Sequence, residues 1–151
     1  MTNARALEYW THAPQIPKLI AQVNQYLRSS GLDIGLQHLV LLRVSQINKC
    51  AYCVDLHSHE ALRDGELVQR VNCLPVWREC DFYSDKEKAT FGWAEALTER
   101  RSEDELGESY ALVFEFFDAK NLSDLTFLIA SMNAWNRMGV GLGRSPEARL
   151  E

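Results

Sequence analysis

Two cysteines and a histidine, spaced so that one helical face would hold all three, are the residues of this chain best suited to chemistry. They lie in the segment Cys50-Ala51-Tyr52-Cys53-Val54-Asp55-Leu56-His57. On a helix, offsets of three, four and seven residues bring side chains to the same face. Two thiols on one turn can cycle between dithiol and disulfide, and a nearby imidazole can take the proton from the thiol that attacks. The spacing therefore indicates thiol redox chemistry.

The two thiols differ in their relation to the imidazole. His57 follows Cys53 by one helical turn, so it can accept the Cys53 proton directly or through one water. Both thiols fall in the first turn of the predicted helix, where free backbone N–H groups stabilise a thiolate. Cys50 is then placed to convert a sulfenic acid on Cys53 into a disulfide. We predict that Cys53 attacks and that Cys50 resolves.

A zinc site is the main alternative use of the same residues. Cys50, Cys53 and His57 could supply three ligands, with Cys73 or Cys80 as the fourth. However, Cys73 and Cys80 are too far apart in sequence to form a second C-x-x-C pair. A third interpretation makes the thiols inert core residues, which leaves His57 without an explanation. We predict no metal and no cofactor.

Composition limits the classes of function. A chain of 151 residues with 46% hydrophobic content suits one domain, and its net charge of -5 lacks the basic footprint of a nucleic-acid-binding protein. No apolar signal segment begins the chain, and its apolar runs are far shorter than the roughly twenty residues that span a membrane. We therefore expect a cytoplasmic protein without membrane or nucleic-acid partners. Structural disulfides are rare in that compartment, so the cysteines call for another explanation.

Helical periodicity runs through almost the whole chain and predicts an all-α fold. Apolar residues recur at three- and four-residue steps, and Ser84-Asp85-Lys86-Glu87 has the form of a capping box. Ser102-Glu103-Asp104-Glu105 repeats that form more weakly. Pro75 interrupts a less regular section over residues 67–77. The predicted helices cover residues 16–27, 36–47, 50–64, 84–97, 110–117 and 121–138.

The residues around the motif resemble the AhpD-like / carboxymuconolactone decarboxylase superfamily, in particular its short peroxidase-related members with one motif. Residues 41–58 and 61–66 carry the resemblance, and residues 74–79 and 133–137 support it. The resemblance implies a helical, AhpD-like domain over residues 1–151, with its motif core at about 36–138. It also implies assembly into homotrimers or homohexamers.

The resemblance further implies an alkylhydroperoxidase-type disulfide cycle. In this family the second cysteine attacks peroxide, the first resolves and the histidine relays a proton; these roles fall on Cys53, Cys50 and His57. Members without C-x-x-C carry out lactone decarboxylation instead. We therefore expect a thiol peroxidase or disulfide reductase that uses an organic or hydrogen peroxide and a lipoyl- or thioredoxin-type dithiol reductant. The alternative is a non-catalytic zinc-binding or redox-sensing oligomer.

The chain departs from the family pattern at one position. A glutamate of the relay usually lies twelve residues before the first cysteine, where this sequence has His38. An imidazole can also accept or pass a proton near neutral pH, so His38 joins the predicted catalytic residues. Its alternative role is that of a partly buried helix residue. Four aromatic residues could line a peroxide pocket, although core or subunit contacts are favoured: Phe114, Phe116, Phe117 and Trp135.

Overall fold

The computed structural model describes residues 6–148, which are mostly helical and contain no strand. The prediction of an all-α fold is confirmed. None of the described helices is long and apolar enough to cross a membrane. The α-helices are α1 (Tyr9–His12), α2 (Gln15–Arg28), α3 (Ile34–Ile47), α4 (Ala51–Arg63), α5 (Val68–Cys73), α6 (Asp85–Glu99), α7 (Glu103–Phe114) and α8 (Ala119–Gly141), and a 3-10 helix covers Leu74–Glu79.

Helix α3 forms the centre of the bundle and packs against α4, α6 and α8. It begins at Asp33, whose carboxylate accepts a hydrogen bond of 2.8 Å from the backbone N–H of Leu36. Its apolar residues are buried on several faces, as expected for a helix surrounded by others. The fully buried ones are Leu39, Val40, Leu42 and Val44.

A tight turn joins α3 to α4 and fixes where the motif helix starts. Lys49 adopts a left-handed conformation, with φ at 56°, which ends α3 and redirects the chain. Asn48 anchors this turn to α8, because its amide donates to Asn133 at 2.8 Å and to Asn136 at 3.0 Å. The backbone N–H of Cys50 then bonds Ser45 at 3.1 Å. Cys50 is thus held as the N-cap residue of α4.

Side-chain caps account for the observed starts of α3, α6, α7 and α8. Both predicted capping boxes are present, at Ser84 with Glu87 and at Ser102 with Glu105. The second box begins α7 several residues before the predicted start at residue 110. Asp118 caps α8 by accepting a 2.7 Å bond from the N–H of Asn121, so α8 also begins earlier than predicted. The irregular section over 67–77 is α5 followed by the 3-10 helix.

Helix α2 forms where it was predicted, but much of its apolar stripe faces outward. It packs mainly against α8 and buries Pro17 and Leu27. Contiguous apolar surface of this kind is typical of sites where other molecules bind. The exposed members of the stripe are Ile16, Leu19, Val23 and Tyr26.

A buried carboxylate connects α3, α6 and the 3-10 helix. Glu95 is 1% exposed and forms ion pairs with Arg43, Arg78 and Arg101. Its carboxylate also accepts a 2.8 Å bond from the indole N–H of Trp77. Burial alone would raise the pKa of Glu95, but the bonds from Trp77 and the arginines outweigh it and lower that pKa. The ionised form is therefore part of the folded core.

Candidate active site

The two motif cysteines form a disulfide at the start of α4. Cys50 is the N-cap and Cys53 lies in the first turn, with their Cα atoms 5.3 Å apart. Both are buried, at 1% and 5% exposure. The structure therefore brings the two predicted redox thiols into direct covalent contact.

Helix α8 approaches this disulfide through a glycine. A Cβ atom built on Gly139 would lie 3.0 Å from Cys50 Sγ and 3.8 Å from Cys53 Sγ. Any side chain here would press on the sulfur atoms, so the absence of one allows the helix to pass over the disulfide. The contact covers one side of the redox pair with α8 backbone.

His57 lies one turn after Cys53 and is 8% exposed. Its Nδ1 is 2.9 Å from Glu60 Oε2, and Arg28 Nη2 is 3.4 Å from Glu60 Oε1. The hydrogen bond to His57 is the main reason that the pKa of Glu60 is lowered; burial opposes it, and the charge of Arg28 assists it. With an ionised acceptor at Nδ1, the hydrogen of a neutral imidazole resides there, which leaves Nε2 able to accept a proton.

Glu60 was not predicted as a site residue, although the sequence carries a signal for it. It follows His57 by three residues, a spacing that places side chains next to each other on a helix. Twelve residues before the first cysteine, this chain has His38 and no carboxylate. In the structure, the partner of the imidazole comes from its own helix.

His38 occupies a different place from the other predicted site residues. It is 3% exposed, and its Nε2 lies 2.9 Å from Asp64 Oδ2 at the end of α4. Its Nδ1 has no hydrogen-bond partner among the described residues. Arg63 is the main cause of the lowered pKa of Asp64, and the bond from His38 adds to it. His38 is also absent from the lining of the cavity that contains Cys53 and His57.

An apolar cavity of about 230 Å³ opens beside the disulfide and is lined by Cys53, His57 and Glu60. Trp135 also lines it and stacks on Trp10 with ring centroids 5.6 Å apart. The other three aromatic residues named from the sequence are not in this wall. Core or subunit contacts were the favoured role for Trp135, but its side chain also lines this cavity. The further apolar and aromatic lining of the cavity consists of Tyr9, Trp10, Leu41, Tyr52, Leu56, Leu128 and Met132.

The remaining cysteines lie outside this cavity. Cys73 and Cys80 are free thiols, and Cys80 Sγ contacts the carbonyl of Val76 at 3.6 Å. Burial is the main cause of the raised pKa of the Cys80 thiol. Among residues 6–148, no group of three or more His, Cys, Asp or Glu side chains is arranged to hold a metal ion.

A family model and a curated relative match most of this chain's central part. The sequence model of the carboxymuconolactone decarboxylase family matches residues 14–96. The uncharacterized protein YdfG of Bacillus subtilis is 36% identical over 140 residues, which is 93% of this chain and 95% of YdfG.

Solved structures share the fold. One is a protein of unknown function from Agrobacterium tumefaciens that has been suggested to be the antioxidant defence protein AhpD. It superposes with a TM-score of 0.90 at 32% identity, over 95% of this chain and 98% of that one. The debrominase Bmp8 superposes with a TM-score of 0.80 over 91% of this chain and 74% of its own, but at 18% identity it shows the fold alone.

Proposed function

The chain belongs to the carboxymuconolactone decarboxylase family, and from that membership we propose that it is a thiol peroxidase that works through Cys53 and Cys50. The observation that carries the proposal is the Cys50–Cys53 disulfide beside an apolar cavity that His57 also lines. Peroxide reduction requires a thiol that a nearby base can deprotonate. The buried thiol pair at the start of a helix, with an imidazole one turn away, meets this requirement.

The proposed cycle begins with a proton transfer from the Cys53 thiol to Nε2 of His57. The thiolate attacks one peroxide oxygen, the O–O bond breaks, and the proton returns from His57 to the departing oxygen, which leaves as an alcohol or water. Cys53 is then a sulfenic acid. The Cys50 thiol attacks that sulfur, water leaves and the disulfide forms. A dithiol reductant restores both thiols and becomes a disulfide itself.

Glu60 supports this cycle as a positioning residue. Its carboxylate holds the hydrogen on Nδ1 and stabilises the imidazolium that forms when His57 takes the thiol proton. Arg28 in turn bonds Glu60 from α2. The relay is thus a chain of contacts from Arg28 through Glu60 and His57 towards Cys53. It needs no contribution from His38, whose part in proton transfer stays a prediction.

We also propose a lipoyl- or thioredoxin-type reductant and assembly into a trimer or hexamer. The exposed apolar stripe of α2 supports assembly, because such a surface is stabilised when a second subunit covers it. Light scattering at micromolar concentration tests the oligomer, and a monomer would contradict it.

Steady-state turnover tests the function. Purified protein is given cumene hydroperoxide or hydrogen peroxide, with dihydrolipoamide or a thioredoxin system as the electron source. We expect peroxide-dependent oxidation of at least one reductant, abolished by Cys53→Ser and retained by the control Cys73→Ser. If the wild-type protein is no faster than Cys53→Ser, the proposal is wrong. Stoichiometric zinc in the purified protein would favour the zinc-binding alternative instead.

A further inference from the structure

The end of α8 places one arginine at the wall of the thiol cavity. Gly143, with φ at 70°, closes the helix, and its N–H bonds the carbonyl of Val140 at 3.3 Å. The N–H of Arg144 bonds the carbonyl of Gly139 at 2.8 Å, which completes a Schellman motif. Because Gly139 is the residue that contacts the disulfide, this motif fixes Arg144 relative to the redox pair.

Two tyrosines hold the Arg144 guanidinium in one orientation. Nη1 donates to the Tyr9 hydroxyl at 2.9 Å, and Nη2 donates to the Tyr52 hydroxyl at 2.7 Å. The guanidinium carbon also lies 3.7 Å from the centre of the Tyr52 ring. Since both hydroxyl oxygens accept from Arg144, their own hydrogens are directed elsewhere. Within the described residues, neither hydroxyl donates to an acceptor.

This corner therefore presents hydrogen-bond donors and a guanidinium that forms no ion pair with a described carboxylate. Arg144 takes part in none of the ion pairs among the described residues. The other charged groups in the cavity wall, Arg28 and Glu60, pair with each other. A guanidinium with spare N–H groups, flanked by two hydroxyl donors, matches the geometry of a carboxylate.

The two spaces beside Arg144 differ in how well they would accept an anion. Arg144 lines both the thiol cavity and a wider outer cleft that carries Glu8, Asp55 and Glu147. Those carboxylates repel an anion in the outer cleft, whereas the thiol cavity has apolar and aromatic walls. Its volume of about 230 Å³ exceeds the roughly 150 Å³ that holds a benzene molecule, so an aromatic ring with short substituents fits.

We propose that Arg144, Tyr9 and Tyr52 form a carboxylate-binding subsite, and that the cavity takes a small organic acid whose apolar body lies against Trp135 and reaches Cys53. As a substrate subsite it rests on the proposed peroxidase function, and the substrate class is then a hydroperoxide that carries a carboxylate. As a binding site it stands independently of turnover.

Two nearly isosteric probes test the subsite directly. Binding of 4-isopropylbenzoate and of its neutral amide, 4-isopropylbenzamide, is followed by calorimetry and by fluorescence of the tryptophans that line the cavity. We expect the wild-type protein to bind the benzoate at least about tenfold more tightly than the amide. Equal affinity for the two probes, or no binding of either, would overturn the proposal.

Substitutions test which residues cause the preference for the benzoate over the amide. Arg144→Gln should remove the benzoate preference, while Arg137→Gln, which changes an exposed arginine on α8, should keep it. Tyr9→Phe combined with Tyr52→Phe should weaken benzoate binding several-fold and leave amide binding unchanged, which also covers the case in which Arg144→Gln does not fold. A benzoate preference that persists in folded Arg144→Gln contradicts the assignment.

Turnover separates the two proposals. We expect kcat/KM for 4-carboxycumene hydroperoxide to exceed that for cumene hydroperoxide by about tenfold or more, and Arg144→Gln to abolish the difference. Turnover of both hydroperoxides at equal kcat/KM refutes the subsite and leaves the peroxidase in place. An Arg144-dependent benzoate preference without turnover of either hydroperoxide supports the subsite and refutes the peroxidase.

Discussion

Replacement of Glu60 by Gln tests the relay at a residue that was not among the predicted site residues. The change keeps the size of the side chain but removes the charge that lies 2.9 Å from His57 Nδ1 and 3.4 Å from Arg28. In the proposed cycle, His57 becomes positively charged only after it accepts the Cys53 proton. Loss of the carboxylate therefore raises the energy of the charged state more than that of the resting state.

The expected magnitude follows from one charged hydrogen bond. Such a bond contributes about 1.5–3 kcal/mol, and each 1.36 kcal/mol or so changes a rate tenfold. Because both side chains are nearly buried, solvent screening reduces this value only modestly. We expect Glu60→Gln to lower kcat/KM for peroxide by about ten- to hundredfold at neutral pH. His57→Ala should lower it further, by about a hundredfold or more.

A coupled peroxidase measurement from pH 6 to 10 checks this expectation. Activity of both variants should partly recover above about pH 9, where an ordinary thiol ionises without a base. Glu108→Gln, which changes an exposed carboxylate on α7, is the matched control and should leave kcat/KM unchanged. Wild-type kcat/KM in folded Glu60→Gln would refute the proposed relay.

Three further outcomes are expected. Gly139→Ala should destabilise the oxidised protein by about 1–3 kcal/mol in thermal unfolding, because the added Cβ would lie 3.0 Å from Cys50 Sγ. The reduced protein should lose less stability. Equal losses in the oxidised and reduced proteins would contradict this contact. Glu95→Gln should cost about 3–5 kcal/mol in denaturant unfolding, since it removes the buried carboxylate that pairs with Arg43 and Arg101; a loss below about 1 kcal/mol would refute that role. His38→Gln should leave the activity–pH profile unchanged, because His38 bonds Asp64 outside the cavity; a tenfold loss of kcat/KM would instead support the predicted part of His38 in the relay.

The pH dependence of stability has a definite sign at Glu60. Its pKa in the folded state lies below the ordinary value of 4.5, mainly because of the bond to His57. The unfolded state therefore binds more protons, and the stabilisation is fully present above about pH 4.5 and lost as the pH falls through the folded-state pKa. Glu60→Gln should accordingly be less stable than wild type at pH 7, and the difference should shrink in acid.

Local signals in the sequence were sufficient for much of the fold. Ser84 and Ser102 mark helix starts because capping involves residues only three apart, and the Cys50–Cys53 pair follows from one helical turn. Helix periodicity identified α2 but could not say which neighbour covers its stripe, since that depends on how helices pack in space.

Contacts between residues that are far apart in sequence are the part of the site that could not be predicted. Glu60 was within reach of a spacing argument, because it lies on the same helix as His57. In contrast, Arg144 reaches the site only through the closure of α8 and its bonds to Tyr9 and Tyr52, which are remote in sequence. Side chains that meet across the fold leave no periodic trace in one sequence, so the carboxylate subsite required the structure.

A single-turnover experiment without reductant tests the central claim most directly. Reduced Cys50→Ser and Cys53→Ser proteins are mixed with about one equivalent of hydroperoxide per subunit in the presence of a sulfenic-acid trap, so that the sulfenic acid is not oxidised further. The peroxide consumed per subunit is measured together with the trapped sulfenic acid, which is located by peptide mapping. The proposed cycle predicts that Cys50→Ser consumes about one equivalent and carries the sulfenic acid on Cys53, while Cys53→Ser consumes none. Consumption by Cys53→Ser with trapping on Cys50, or no consumption by either variant, would contradict it.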